Sequence, residues 1–182
     1  EGKLVVIRHN WKKQHALILT GSFLIPVILM GAYFAYRQMA PFGPSSLLTV
    51  DLGQQYVDFF AYLRNIILHH PGSLFYSFSK GLGGEMLGTN AYYLFSPLNL
   101  ILIFFPGKWL TSGVMALTLL RYGLAGMAFA WLLLKTRLQS GFRIWAFSTA
   151  YALNGWMIAN QLNMIWLDAL VILPLIIWGL LR

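Results

Sequence analysis

Two kinds of apolar run alternate along the chain. The first, "ALILTGSFLIPVILMGAYFAY" from residue 16 to 36, is unbroken and close to the 20 residues that cross a bilayer as a helix. It predicts a spanning helix over 16–39 that persists as an anchor, because no small-residue cleavage site follows and the run exceeds a signal-peptide core. Later runs, "LTSGVMALTLLRYGLAGMAFAWLLL", "IWAFSTAYALNGWMIANQ" and "ALVILPLIIWGLL", predict three further spans within 110–182. Between them, "SPLNLILIFFP" is closed by Pro97 and Pro106 and is too short for a core of about 30 Å at about 1.5 Å per residue. It is expected to be re-entrant or interfacial.

A third pattern occupies 49–70, "TVDLGQQYVDFFAYLRNIILHH". At about 100° per residue, Asp51, Gln54, Gln55, Asp58, Tyr62, Asn65 and His69 fall in a wedge of about 100°. Most other positions are apolar, with Arg64 the exception. The pattern predicts an interfacial helix that shows one narrow polar stripe to water or a ligand. Thr49 is the expected N-cap, which puts Asp51 in the first turn.

Composition sharpens this picture. The 182 residues are 58% hydrophobic and 10% charged, far too little charge for a soluble domain of that length. The class is all-α: a polytopic helical membrane protein with about four spanning helices, an interfacial helix and a re-entrant segment. The net charge of +8 does not indicate nucleic acid, because the basic residues flank apolar runs. With no cysteine, thiolate chemistry and disulfides are excluded. The chain starts at Glu1 and its last apolar run stops at Arg182, which reads as a piece of something larger, with function split between this part and others.

Charge also sets orientation. If 97–106 does not span, Lys135, Arg137, Arg143 and Arg182 join the tail 1–15, with Lys3, Arg8, Lys12 and Lys13, on the cytoplasmic side. Residues 40–108 then form an extracytoplasmic loop, and Asp51, Asp58, Glu85 and Asp168 share the outer compartment.

Several of these residues are candidates for chemistry. Asp51 fits a first-turn carboxylate favoured by the helix dipole, worth roughly 0.3–1 kcal/mol, as well as a functional one. Asp58, between Val57 and Phe59, needs water or a partner. The two are seven positions apart, about 10 Å along a helix, too far to share one ion unaided. His69 and His70 suit a helix C-terminus. In "SFSKGLGGEMLGTNAYY", Lys80 with Gly81, Gly83 and Gly84 could cradle a phosphate or simply turn the chain; it is not a Walker A loop. Arg121 lies inside a span, as a lipid-phosphate ligand, as half of an ion pair or as a side chain that snorkels to the interface. Asp168 follows Trp166 at an expected outer interface and either completes a site or begins a helix.

The stretches "PFGPSSLLTVDLGQQYVDFFAYLR", "GSLFYSFSKGLGGEMLG" with "YYLFSPLNLILIFFP", and "YALNGWMIANQLNMIWLDALVILPLI" resemble, in matching order, the N-terminal part of the YfhO family of bacterial membrane proteins. That family is similar to polytopic GT-C glycosyltransferases. The resemblance implies a GT-C-like fold and use of a polyprenyl-phosphate sugar on the outer face of the membrane, with a cell-wall polymer such as lipoteichoic acid as acceptor. It also implies an essential Asp in the first extracytoplasmic loop, matched here by Asp51, with Asp58 second. In that setting Asp51 would be a base or metal holder, and Lys80, Arg64 and Arg121 would face the lipid phosphate, with Gln55, Tyr62 and Asp168 completing the substrate site. No cofactor is required by this reading; a divalent cation stays open. A permease and a non-catalytic envelope-assembly protein are the rival classes, the first disfavoured by the lack of an internal repeat.

Overall fold

A computed structural model describes the backbone of residues 2–182 and the side chains of residues 13–182. Lys3, Arg8 and Lys12 of the basic tail lie outside the described side chains. The chain folds as two compact units: a helical unit of Glu1–Tyr33, Leu119–Ala159 and Leu167–Arg182, and a loop unit of Phe34–Thr118 and Asn160–Trp166.

Helix α1 runs Gly2–Tyr36 and α4 runs Leu110–Thr136. The stretches Lys13–Tyr36 and Gly107–Thr136 are long and apolar enough to cross a membrane. Within the helical unit α1 and α4 pack closely because two glycines remove the obstacle. A Cβ on Gly126 would collide with the Ser22 carbonyl oxygen, and one on Gly123 would stand 2.6 Å from the Phe23 ring. Such small-residue contacts are how helices associate where lipid competes equally well for apolar side chains. Helix α5, Arg143–Ala152, joins this core through Trp145, whose Nε1–H donates to the Ile18 carbonyl at 3.0 Å, and through Ile144, buried with Ile18, Ala130 and Leu133.

The three spans expected within 110–182 are not all of full length. The run "IWAFSTAYALNGWMIANQ" breaks into α5 and a short α6, Gly155–Ala159. Asn154 makes the break: its Nδ2 donates to the Tyr151 carbonyl at 2.6 Å and its Oδ1 accepts the Met157 N–H at 2.9 Å, so one side chain ends one helix and caps the next. Helix α7, Met164–Leu180, has 17 residues, a little short of the usual span.

In the loop unit the interfacial helix is present with an irregular start. Val50 adopts φ +47°, a π-helical turn covers Leu52–Tyr56, and α2 continues as Val57–Leu68. Thr49 is not its cap: the Thr49 hydroxyl donates weakly to the Leu47 carbonyl at 3.5 Å, and no side chain caps the π turn. Gly53 allows the wide turn, since a Cβ there would stand 2.6 Å from the Leu48 carbonyl oxygen. Leu52, Tyr56, Phe60, Leu63 and Ile66 are buried, at the three- and four-residue spacing of one helix face. Gln54, Gln55, Asp58, Asn65 and His69 of the polar stripe are exposed, as expected.

After α2, strands β1, Tyr76–Ser77, and β2, Gly84–Glu85, form a small antiparallel hairpin in which Tyr76 faces Glu85. Gly81 at φ +61° and Gly83 at φ +111° close it. Helix α3, Leu87–Tyr93, leads to a 3-10 helix, Pro97–Phe104, bent from it by 89°. A bend of this size belongs either to a re-entrant loop or to a broken span. Two buried asparagines hold the loops: Asn90 donates to the Leu74 carbonyl at 2.5 Å, and Asn99 to the carbonyls of Tyr93 and Leu94 at 3.3 and 3.2 Å.

Candidate functional site

The hairpin folds back so that Lys80 and Asp58 line one cavity of about 280 Å³ in the loop unit. Tyr62, Ser77, Ser79 and Thr89 add hydroxyls, and Phe59 and Met86 add apolar wall. Each side chain is placed for a local reason. Asp58 is exposed one helical turn before Tyr62, whose hydroxyl donates to the Ser73 carbonyl at 2.5 Å and so fixes α2 against the chain that follows it. Lys80 reaches over Gly84, where a Cβ would stand 3.2 Å from its Cδ. Its Nζ donates to the Glu85 carbonyl at 2.6 Å and to the Thr89 hydroxyl at 3.4 Å. The Glu85 carboxylate lies 4.0 Å away, with both side chains about half exposed or more, so that ion pair contributes little and leaves the ammonium available.

Asp51 does not line this cavity. It heads a separate chain of hydrogen bonds in which the Tyr93 hydroxyl donates to Gln55 Oε1 at 2.5 Å and Gln55 Nε2 donates to Asp51 Oδ1 at 3.4 Å. The donors stay protonated. Burial, followed by the neighbouring Tyr92 and the Asp51 charge, raises the Tyr93 phenol above its ordinary value. Burial, followed by Tyr92 and Tyr93, pushes Tyr56 up to about 12. Tyr56 and Phe59 also pack against the Tyr93 ring, at centroid distances of 4.9 and 4.6 Å. The stripe thus carries two carboxylates in two settings, one in a cavity and one in a hydrogen-bonded chain.

Three expected substrate residues, Arg64, Arg121 and Asp168, are engaged elsewhere. Arg64 Nε donates to the Ile103 carbonyl at 3.3 Å, tying α2 to the 3-10 helix; it lies off the stripe and outside the cavity lining. Arg121 is half of an ion pair, and Asp168 is the other half: Nε meets Oδ1 at 2.6 Å and Nη2 meets Oδ2 at 3.5 Å. The Arg121 side chain has no exposed surface, so the pair belongs to the interior of the helical unit and not to an open site.

The sequence reading passed over Ser77, Ser79, Thr89 and Tyr93. The spacing of Ser77 and Ser79 just before Lys80 is the one visible signal, because alternate residues of an extended segment share a face. Among the described residues no three His, Asp or Glu side chains gather where an ion could be held.

The family model for the bacterial membrane protein YfhO matches residues 22–182. No curated protein and no solved structure matches the chain.

Proposed function

We propose, from the premise that this chain belongs to the YfhO family of bacterial membrane proteins, that it carries the catalytic loop of a membrane glycosyltransferase. The apolar helices and the family make it a multi-pass protein of the cell membrane. In the proposed reaction a polyprenyl-phosphate sugar on the outer face is the donor and a hydroxyl of a cell-envelope polymer, such as lipoteichoic acid, is the acceptor.

The observation that carries the reading is the cavity shared by Asp58 and Lys80. Transfer needs a carboxylate to accept the acceptor's hydroxyl proton as its oxygen bonds to the anomeric carbon. It also needs positive charge on the phosphate that leaves with the bonding electrons of the broken C–O bond. Asp58 and Lys80 supply one of each, while Tyr62, Ser77, Ser79 and Thr89 offer hydrogen bonds to sugar hydroxyls. Phe59 gives an apolar face of the kind sugars pack on. These roles need only protein groups.

Geometry favours Asp58 as the base, whereas the family resemblance favours Asp51. A direct comparison decides between them: Asp51→Asn and Asp58→Asn variants of the intact protein, assayed with a polyprenyl-phosphate sugar. Asp58→Asn should lower turnover by about 100-fold or more, the amount that a positioned base commonly supplies. Full loss in Asp51→Asn with activity retained in Asp58→Asn would return the base to Asp51. Full activity in both would remove the enzyme reading in favour of a permease or an assembly protein.

A further inference from the structure

In the helical unit a second cavity, of about 260 Å³, opens where α4 ends and α5 has not yet begun. Gln14, His15 and Ile18 of α1 form one wall; Leu134, Arg137 and Ser140 form the other. The lining is graded, with Ile18 buried and Gln14, Arg137 and Ser140 exposed. A cavity with an apolar floor and a polar, basic mouth at the end of spanning helices has the form of a site for a lipid headgroup.

Charge says which headgroup. Lys13, Lys135, Arg137 and Arg143 all occur in or beside the segments that form the cavity. The one carboxylate in the described part of this unit, Asp168, is committed to Arg121, some 15 residues or roughly 20 Å up α4. Of those basic residues, Arg137 lines the cavity itself, and no acidic residue lines it.

The backbone adds an independent observation. Arg137 directly follows the last residue of α4 and adopts φ +56°. This left-handed position after a helix is ordinarily filled by glycine, because a side chain there is strained. Gly141 takes φ +63° four residues later in the same turn, so the chain uses glycine once and arginine once for the same conformation. An arginine held in strain at the mouth of a basic cavity is explained if its guanidinium has work there.

We propose that this cavity binds the phosphate of an anionic phospholipid headgroup, with Arg137 as the main ligand and Gln14 and Ser140 as hydrogen-bonding partners. In the orientation set by the basic residues it faces the cytoplasmic leaflet. The inference does not depend on the glycosyltransferase reading.

The test exploits the strain. The Arg137→Gly variant of the intact protein, purified in detergent, should fold at least as stably as wild type, because glycine relaxes the left-handed position. It should nevertheless bind phosphatidylglycerol about tenfold more weakly, the loss of one charge-assisted contact, in a lipid titration followed by thermal unfolding or native mass spectrometry. Phosphatidylcholine should stabilise neither protein to the extent that phosphatidylglycerol stabilises wild type. Unchanged phosphatidylglycerol binding in Arg137→Gly would overturn the proposal. Equal stabilisation of wild type by millimolar inorganic phosphate or glycerol phosphate would overturn the lipid assignment in favour of a soluble anion.

Discussion

The two units use the same kinds of side chain to opposite ends. In the helical unit Arg121 is fully enclosed and clamped by Asp168 through two contacts. In the loop unit Asp58 is exposed, and Lys80 meets no carboxylate closer than 4.0 Å. A charge in an apolar sequence therefore does not by itself mark a site. One that has spent its electrostatics on a partner holds the fold together; one that keeps a solvated face remains available to a ligand.

The largest effect should come from breaking the enclosed pair. Asp168→Ala removes the carboxylate that faces the buried Arg121 guanidinium and should cost about 3–5 kcal/mol of stability, read as thermal unfolding in detergent. Replacing both residues with leucine should recover most of that loss. A neutral single variant would erase the contrast between the units.

Lys80→Ala sharpens the contrast from the other side. The ion pair with Glu85 is solvated, so stability should hold. The kcat/KM for a polyprenyl-phosphate donor should fall by about tenfold or more, because the departing phosphate gains a negative charge that the ammonium meets in the transition state. An unchanged kcat/KM would remove Lys80 from the donor site.

The smallest effect concerns alkaline pH. An unfolded tyrosine ionises near 10, whereas Tyr56 in the fold holds its proton to about 12. Between those values the unfolded chain releases a proton that the folded chain keeps. Stability from this group is thus complete below about pH 10 and is lost as the pH rises towards 12. The denaturation midpoint of the loop unit should fall across that window, and Tyr56→Phe should flatten the fall. An identical slope in Tyr56→Phe would assign it to Tyr93.

Elements governed by local rules were legible in the sequence. The first span and the amphipathic face of α2 follow from periodicity and length. The α5–α6 break carried its signal too, since Asn154-Gly155 is a turn dipeptide within an apolar run, but hydropathy outweighed it. The π turn at Leu52–Tyr56 left no such trace, because widening a turn changes no residue's polarity. Of the candidate site, Asp58 was visible as an uneasy mid-helix carboxylate. Its union with Lys80 depends on a hairpin closing 22 positions later in the chain, beyond the reach of periodicity. Arg121 was readable as half of a pair, but not its partner, 47 residues away.

The glycine contact between α1 and α4 also orders events during biosynthesis. Helix α1 ends at Tyr36, whereas Gly123 and Gly126, which accommodate it, are made about 90 residues later, on the order of 5–20 s of translation. For that interval α1 must reside in the bilayer with lipid as its only neighbour, which its charge-free run from Ala16 to Tyr36 permits. Helix α4 then docks on a helix already in place. Photo-crosslinking from Phe23 in stalled nascent chains should accordingly capture lipid when synthesis has stopped before Gly123, and α4 once Gly126 has entered the membrane. The first helix is thus the template, and the glycines belong to the later arrival.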